Sequence, residues 1–260
     1  MESKRRMVQF DQLELLSLTG MAAPFPAHCH DTFCISLVHR GVEVIEMEGR
    51  KIYTTAGHIS INNPGEVHAN PLLEADTQVS FDTLYLSQDL VDHICGQVKI
   101  RFANVQPFSH QLNKLFLRLV SAINAAQAKR VAILLGEFLP SLQQVTSSTP
   151  YPSPWPSRWE ELSKHLHMAD DGQKTSLEDL ARIVGMNKFT FARQFKAEIG
   201  MSPMHYLLMR RVFKAKQAIH SQSNLTDLAY EYGFADQAHF SRNFTRFVGV
   251  SPREFKKGKS

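Results

Sequence analysis

The sequence predicts a multidomain chain of mixed α and β class: an N-terminal β-barrel followed by a helical pair, then a C-terminal all-α domain with two helix-turn-helix units. Three observations carry this expectation. Short β-rich runs cut by turn residues fill Ala27 to Leu86, a proline-rich stretch interrupts the chain at Thr146 to Ser157, and a segment near the C-terminus occurs twice. A length of 260 residues suits two domains better than one. Hydrophobic residues at 43% and charged residues at 21% exclude wholesale disorder. Mean hydropathy is −0.24, and no apolar run reaches the ~18 residues of a spanning helix, so no membrane partner is expected. Behind the basic start MESKRRMVQF, Gln9, Asp11, Gln12 and Glu14 break any apolar stretch; no signal peptide is expected, and the cytoplasm is the expected compartment. Cys29, Cys34 and Cys95 are too few and too odd in number for a disulfide framework, which agrees with a reducing location.

In the first region, FCISLVHRGVEVIEMEGRKIYTTAGHISINNPGEVHAN, residues Ile35, Leu37, Val42, Val44, Ile45, Ile52, Ile59 and Ile61 sit in strand-like runs. Gly41, Glu48-Gly49, Gly57 and Asn63-Pro64-Gly65 punctuate them as turns. Many short antiparallel strands imply a closed barrel or a jelly roll. Two helical patterns follow. Leu112, Leu115, Phe116, Leu119 and Ile123 form one stripe, and Val131, Leu134, Leu135, Phe138 and Leu142 form another. This pair either mediates dimerisation or packs on its own barrel. Pro140 is expected to kink the second helix. Next, TSSTPYPSPWPS (Thr146–Ser157) carries four prolines and reads as an extended, stiff spacer that can join neither a helix nor a central strand. The expected domains are therefore 1–145, a linker at 146–157, and 158–260.

Charge divides at the same place. From Arg158 onward there are 17 Lys+Arg against 11 Asp+Glu, a net +6; before it there are 12 against 14, a net −2. Only the C-terminal part is suited to a polyanion, although a solvated basic face would read the same.

The C-terminal part is built on a repeat. Leu177, Leu180, Ala181 and Gly185 recur 48 residues on as Leu225, Leu228, Ala229 and Gly233. Phe191, Arg193, Phe195, Gly200, Ser202 and Pro203 recur 49 residues on as Phe240, Arg242, Phe244, Gly249, Ser251 and Pro252. One extra residue in the turn explains the change of offset. Each copy reads as helix, tight turn, helix. Capping boxes are expected at Ser176/Asp179 and Asn224/Asp227, and N-caps at Asn187 and Asp236. Glycines end the helices, where positive φ costs only glycine nothing. A long helix from about Pro203 to His220 joins the copies; its Arg210, Arg211, Lys214 and Lys216 either touch phosphates or form a solvated face. Such a unit is a helix-turn-helix, whose second helix is of a size to enter the major groove of B-DNA.

The stretch DLAYEYGFADQAHFSRNFTRFVGVSPREF and its fainter copy DLARIVGMNKFTFARQFKAEIGMSP resemble the AraC/XylS family of transcription regulators, over roughly Trp159 to Lys257. Upstream, HCH and G…NNPGEVHAN resemble the two cupin motifs; Gly57, Pro64, Gly65, His68 and Asn70 match the second. The resemblance implies a cupin-like effector-binding and dimerisation domain ahead of an AraC-type DNA-binding domain. It further implies a homodimer on double-stranded DNA that works with RNA polymerase, as an activator, with two recognition helices about one helical turn (~34 Å) apart.

With the phenylalanines assigned to packing, the first recognition helix offers Lys188, Phe189, Arg193 and Lys196, and the second offers Gln237, His239, Arg242 and Arg246. By resemblance, the positions of Arg193 and Arg242 read bases; a guanidinium pairs with guanine O6 and N7 in two bonds, and the alternative for each is a phosphate or a carboxylate on a neighbouring helix. Gln237 suits adenine. Phe189 suits a thymine methyl or partial burial. Lys196 and Arg246 suit phosphates, which position without specifying sequence.

Inner-facing candidates in the barrel are His30, Phe33, Glu43, Tyr53, His68 and Tyr85, of which His30, Phe33, His68 and Tyr85 are assigned to effector binding. The mixture suits a small polar effector such as a sugar, an amino acid or a related metabolite. His28, His30 and His68 occupy the places of three cupin metal ligands. The glutamate expected four or five positions after His30 is replaced by Cys34 and Ile35, so neither metal nor cofactor is expected. These histidines then serve as a hydrogen-bonded structure at the barrel mouth or as effector contacts. The alternative reading is a metal-dependent cupin enzyme, a dioxygenase or isomerase, using His28, His30 and His68. No phosphate loop, nucleophile elbow, HExxH or CxxC is present, and the chain is not expected to be an enzyme.

Overall fold

A computed structural model describes residues 4–10, 13–21, 23–74, 77–96, 99–103, 105–146, 148–150, 155–168 and 175–258. The chain divides into two compact units, one of residues 1–24 with 29–152 and one of residues 25–28 with 153–260. In chain order the first strands are β1 (Lys4–Phe10), β2 (Leu13–Met21), β3 (Phe25–His28), β4 (Thr32–Arg40), β5 (Val42–Met47), β6 (Arg50–Thr55), β7 (Ile59–Asn62), β8 (His68–Asn70) and β9 (Val79–Ser87). Then come α1 (Gln88–Cys95), β10 (Ile100–Phe102), α2 (His110–Asn124), α3 (Ala128–Thr146) and β11 (Ser148–Pro150).

Within the first unit an antiparallel sheet runs β1-β2-β9-β4-β7. A second sheet pairs β5 with β6 and with β8, also antiparallel. The expected β-domain is thus present, in a double-sheet form. Gly41 makes the β4–β5 turn possible: its φ is +79°, and a Cβ there would stand 2.4 Å from the Gln78 carbonyl oxygen.

Because successive strand residues point to opposite faces, each strand of the larger sheet serves two environments. Leu13, Leu15, Phe33, Ile35, Leu37, Ile59, Ile61, Leu84 and Leu86 share one core with the buried stripes of α2 and α3. The open question about the helical pair is answered for those stripes: Leu112, Phe116, Leu119, Leu134, Phe138 and their neighbours are buried in their own unit. Helix α3 continues unbroken through Pro140. The other face of the sheet carries a polar set, described below.

The proline-rich segment departs from expectation at its start. Thr146 is the last residue of α3, and Ser148–Pro150 pairs with Ile100–Phe102. A two-stranded ribbon tolerates this because Pro150 sits at the strand's end, where a missing donor costs little. Residues 151–154 lie outside the described residues.

The second unit contains α4 (Glu160–Met168), α5 (Leu177–Ile183), α6 (Lys188–Ile199), α7 (Pro203–Ala218), α8 (Leu225–Glu231), α9 (Gln237–Val248) and α10 (Pro252–Lys257). The repeat is realised as α5–α6 and α8–α9. Asn187 and Asp236 cap the second helix of each copy by accepting from Thr190 N and His239 N. Gly185 and Gly233 adopt φ of +65° and +72° just past the first helices, and Gly200 and Gly249 end the second at +87°. The capping box at Ser176/Asp179 forms; at Asn224 the side chain instead accepts from Thr226 N, one residue earlier than Asp227. Phe191 and Phe195 pack edge-on to Trp159, at 5.8 Å between centroids in both cases, and Trp155 packs on Phe195 and Tyr206. Phe240 and Phe244 are likewise fully buried.

Candidate functional site

The first candidate site lies on the outward sides of α6 and α9. Packing of Phe191, Phe195 and Ile199 inward leaves Phe189, Arg193 and Lys196, spaced i, i+4, i+7, on the solvent side of α6. Phe189 is 76% exposed, which is unusual for a ring of that size and resolves its alternatives against burial. Lys188, half-buried, forms an ion pair with Glu178 and lies 5.4 Å from the Phe189 ring centre. On α9 the inward residues are Phe240, Asn243, Phe244, Phe247 and Val248, so Gln237, Arg242 and Arg246 are exposed. Gln237 Oε1 accepts a bond of 2.8 Å from Thr226 Oγ1, which orients its amide. His239 is turned back: it is half-buried, edge-on to Phe234 at 5.6 Å. Arg210, Arg211, Lys214 and Lys216 of α7 are all half-buried, and Lys216 stands 5.4 Å from the Phe255 ring, so they do not form a fully solvated face.

The second candidate site is the polar face of the larger sheet in the first unit. The strand registers pair Gln9 with Glu14, Glu14 with Tyr85, Tyr85 with Cys34, and Cys34 with Asn62. Directly paired residues share a face, so these five side chains form one rung across all five strands. The next rung carries Ser36 and Thr83, whose hydroxyls are 2.7 Å apart, and Ser60. Ser60 donates 2.6 Å to Glu43 of β5, and Asn70 of β8 donates to the same carboxyl at 3.3 Å. His68 and Asn70 lie on one face of β8, the face Met47 shares by register.

The NNPGEVHAN turn positions this group. Asn63 exchanges two bonds with the backbone of Phe102 and donates to Glu66, which is ion-paired with Arg101. Gly65, at φ +76°, donates 2.7 Å to the His30 carbonyl. The turn thereby holds β8 against the loop carrying His30. The His30 ring lies 5.6 Å from His68 and 5.2 Å from Tyr85. His68 donates from Nδ1 to the Glu66 carbonyl at 2.9 Å, and burial still pulls its imidazole down to about 4. Burial pushes the Glu43 carboxyl up to about 7, against the lowering effect of Ser60. The Tyr85 phenol is pushed well above its ordinary value by burial first, then by Cys34, Glu14 and Glu43.

Three of the four assigned effector residues, His30, His68 and Tyr85, are therefore brought together. Phe33 is not: it is fully buried on the opposite face of the sheet, 5.4 Å from Phe102. Tyr53 also points away, at 52% exposure. His28 stands in β3, which belongs to the second unit, and donates from Nδ1 to Pro26 O at 2.7 Å. Gln9, Glu14 and Asn62 were not among the site residues expected from the sequence. Pleat alternation from Cys34 could have found Asn62 only if the register with β7 had been known.

Two capped recognition helices with cationic outer faces, in a chain that also carries a separate β-domain with a polar enclosed face, define a DNA-binding transcription regulator with a ligand-binding domain. Residues 12–142 match the AraC-like ligand binding domain, and residues 180–258 match the helix-turn-helix domain family. The chain belongs to the AraC family of transcription regulators. It is 24% identical over 250 residues to the HTH-type transcriptional regulator YbfI of Bacillus subtilis (strain 168), covering 92% of this chain and 90% of that one. It is 25% identical over 259 residues to the HTH-type transcriptional activator RhaS of Escherichia coli O81 (strain ED1a), covering 91% and 89%. Unsaturated fatty acid bound ToxT from Vibrio cholerae strain SCE256 shares the fold with a TM-score of 0.58 at 13% identity, over 100% of this chain and 98% of that one. YbfI and RhaS are described as transcriptional regulators, which favours that reading over a cupin enzyme. Among the described residues no helix is long and apolar enough to cross a membrane.

Proposed function

We propose that this chain is a transcription activator that binds specific double-stranded DNA through α6 and α9, in the cytoplasm, as a homodimer that engages RNA polymerase. Its effector is a small polar molecule taken up on the polar face of the first unit, with His30, His68 and Tyr85 among its contacts. The domains act as 1–145 for effector binding and dimerisation, 146–157 as linker, and 158–260 for DNA. The activator assignment is supported by the likeness to RhaS, described as an activator. The observation that carries the DNA reading is that Arg193 and Arg242, equivalent in the repeat, are both exposed on capped helices whose other faces are spent on packing.

In this reading Arg193, Arg242 and Gln237 read bases, Phe189 meets a thymine methyl, and Lys188, Lys196 and Arg246 contact the DNA phosphates. The test is a titration on a selected binding site and on scrambled DNA. Arg242→Ala lowers specific affinity by about 1–3 kcal/mol and relaxes preference at one base pair, whereas Lys196→Ala weakens both sequences alike and reduces the salt slope by about one. An equal loss on every sequence for Arg242→Ala would move that residue from base to phosphate.

A further inference from the structure

The polar rung in the first unit ends in two unsatisfied atoms. Asn62 is 4% exposed, and its Oδ1 is buried without a hydrogen-bond partner; at the other end Gln9 Nε2 is buried without an acceptor. Both residues lie on the face that carries Glu14, Tyr85 and Cys34 between them. A buried polar atom left unpaired costs about as much as the hydrogen bond it lacks, so Asn62 Oδ1, on a residue this deeply buried, marks a place completed by something else. Facing this rung across the sheets is Glu43, only 3% exposed, whose two hydrogen-bond partners, Ser60 and Asn70, are both neutral.

The sign of this face is also informative. The titratable side chains here are Glu14, Glu43, Cys34, Tyr85, His30 and His68, and no Lys or Arg stands at the rung positions or at 43, 68 or 70. An anionic ligand would meet like charge. Above pH 7, where Glu43 is ionised, a neutral polyol would leave its carboxylate uncompensated in a low-dielectric site. We propose that this face takes an effector bearing a protonated amine, with the ammonium on Glu43 and with a donor group of the same molecule on Asn62 Oδ1, two residues along β7 from the Ser60 that bonds Glu43. This rests on the effector reading above and narrows it to amine-bearing metabolites. Asn62 Oδ1 accepts from a hydroxyl or N–H of the ligand.

The experiment is calorimetric titration of the full chain with a panel of matched pairs: glucosamine against glucose, 4-aminobutan-1-ol against butane-1,4-diol, and amino acid amides against hydroxy-acid amides. The expected result is an amine bound about tenfold or more tightly than its hydroxyl partner at pH 8, the effect of one charge-assisted hydrogen bond. The preference shrinks toward pH 5.5 as Glu43 takes up a proton, and it disappears in Glu43→Gln. Asn62→Ala weakens both members of a pair and keeps the preference. The amine assignment is overturned if the neutral member binds as well, if Glu43→Gln retains the preference, or if no amine of the panel binds. A neutral or acidic compound that binds and is weakened by Asn62→Ala would overturn the amine class and keep the effector site. Binding unaffected by Glu43→Gln, Asn62→Ala and Tyr85→Phe alike would sink both.

Discussion

Glu43 and His68 are buried in the same unit and titrate over nearly the same range with opposite consequences. Folding raises Glu43 from 4.5 to about 7 and lowers His68 from 6.5 to about 4, in each case because burial disfavours the charged form. Between pH 4.5 and 7 the folded chain keeps the Glu43 proton that the unfolded chain releases. That contribution is complete below about 4.5 and is lost as pH rises through 7. His68 behaves in the reverse sense: its contribution is complete above 6.5 and is lost as pH falls through 4. At 1.36 kcal/mol per pH unit each shift is worth about 3 kcal/mol, and in the wild type the two slopes oppose one another. Glu43→Gln removes one of them. Relative to wild type, the variant should gain about 3 kcal/mol between pH 4.5 and 7, and His68→Gln should lose a similar amount on moving from pH 4 to 6.5. Native-state hydrogen exchange at the amides of β4 and β9 reads this unit by itself; fluorescence does not, because Trp155 and Trp159 both lie in the other one. Taking differences between variants cancels every group they share. A difference between Glu43→Gln and wild type that stays flat across this range would refute the argument, since it would mean that Glu43 is solvated in the folded chain.

Two backbone predictions concern turns and caps. Gly41→Ala should destabilise the first unit by about 3 kcal/mol or more, because it adds a collision with the Gln78 carbonyl to left-handed strain. Gly49→Ala, with φ +73° and open space around it, should cost only the strain, about 1–2 kcal/mol. Equal effects in urea denaturation followed by hydrogen exchange would contradict the 2.4 Å approach. Ser176→Ala removes the two bonds that the Ser176 hydroxyl makes with Asp179, leaving the one from the backbone N–H, and should cost about 1 kcal/mol in tryptophan-detected unfolding. Asp227→Ala, whose equivalent box does not form, should cost less than half of that.

The repeat made the second unit almost fully legible. Glycine at a left-handed position, Asn, Asp or Ser at an N-cap, and phenylalanine at helical spacing each have local reasons to be where they are, so identities at those positions define helix, turn and helix without tertiary information. Exposure of Arg193 and Arg242 follows from the same periodicity. The turns at Gly41, Gly57 and Gly65 were readable for the same reason, and so was the contribution of His68 to a cupin-like turn. The partner of each strand was not readable. A one-residue change of register exchanges the two faces, and a strand buried on both sides, such as FCISLV, offers no polar alternation to break the tie. Phe33 was therefore expected among the effector contacts although it faces the helices, while Gln9, Glu14 and Asn62 were not, although they lie on one rung with Tyr85. The capping of Asn224 and the short strand after Thr146 escaped for a similar reason, since each depends on what stands nearby in space. Local chemistry in the sequence determined two recognition helices and a β-domain. Only tertiary pairing decided which polar side chains of that domain meet, because facing positions are set by hydrogen bonds between strands far apart along the chain.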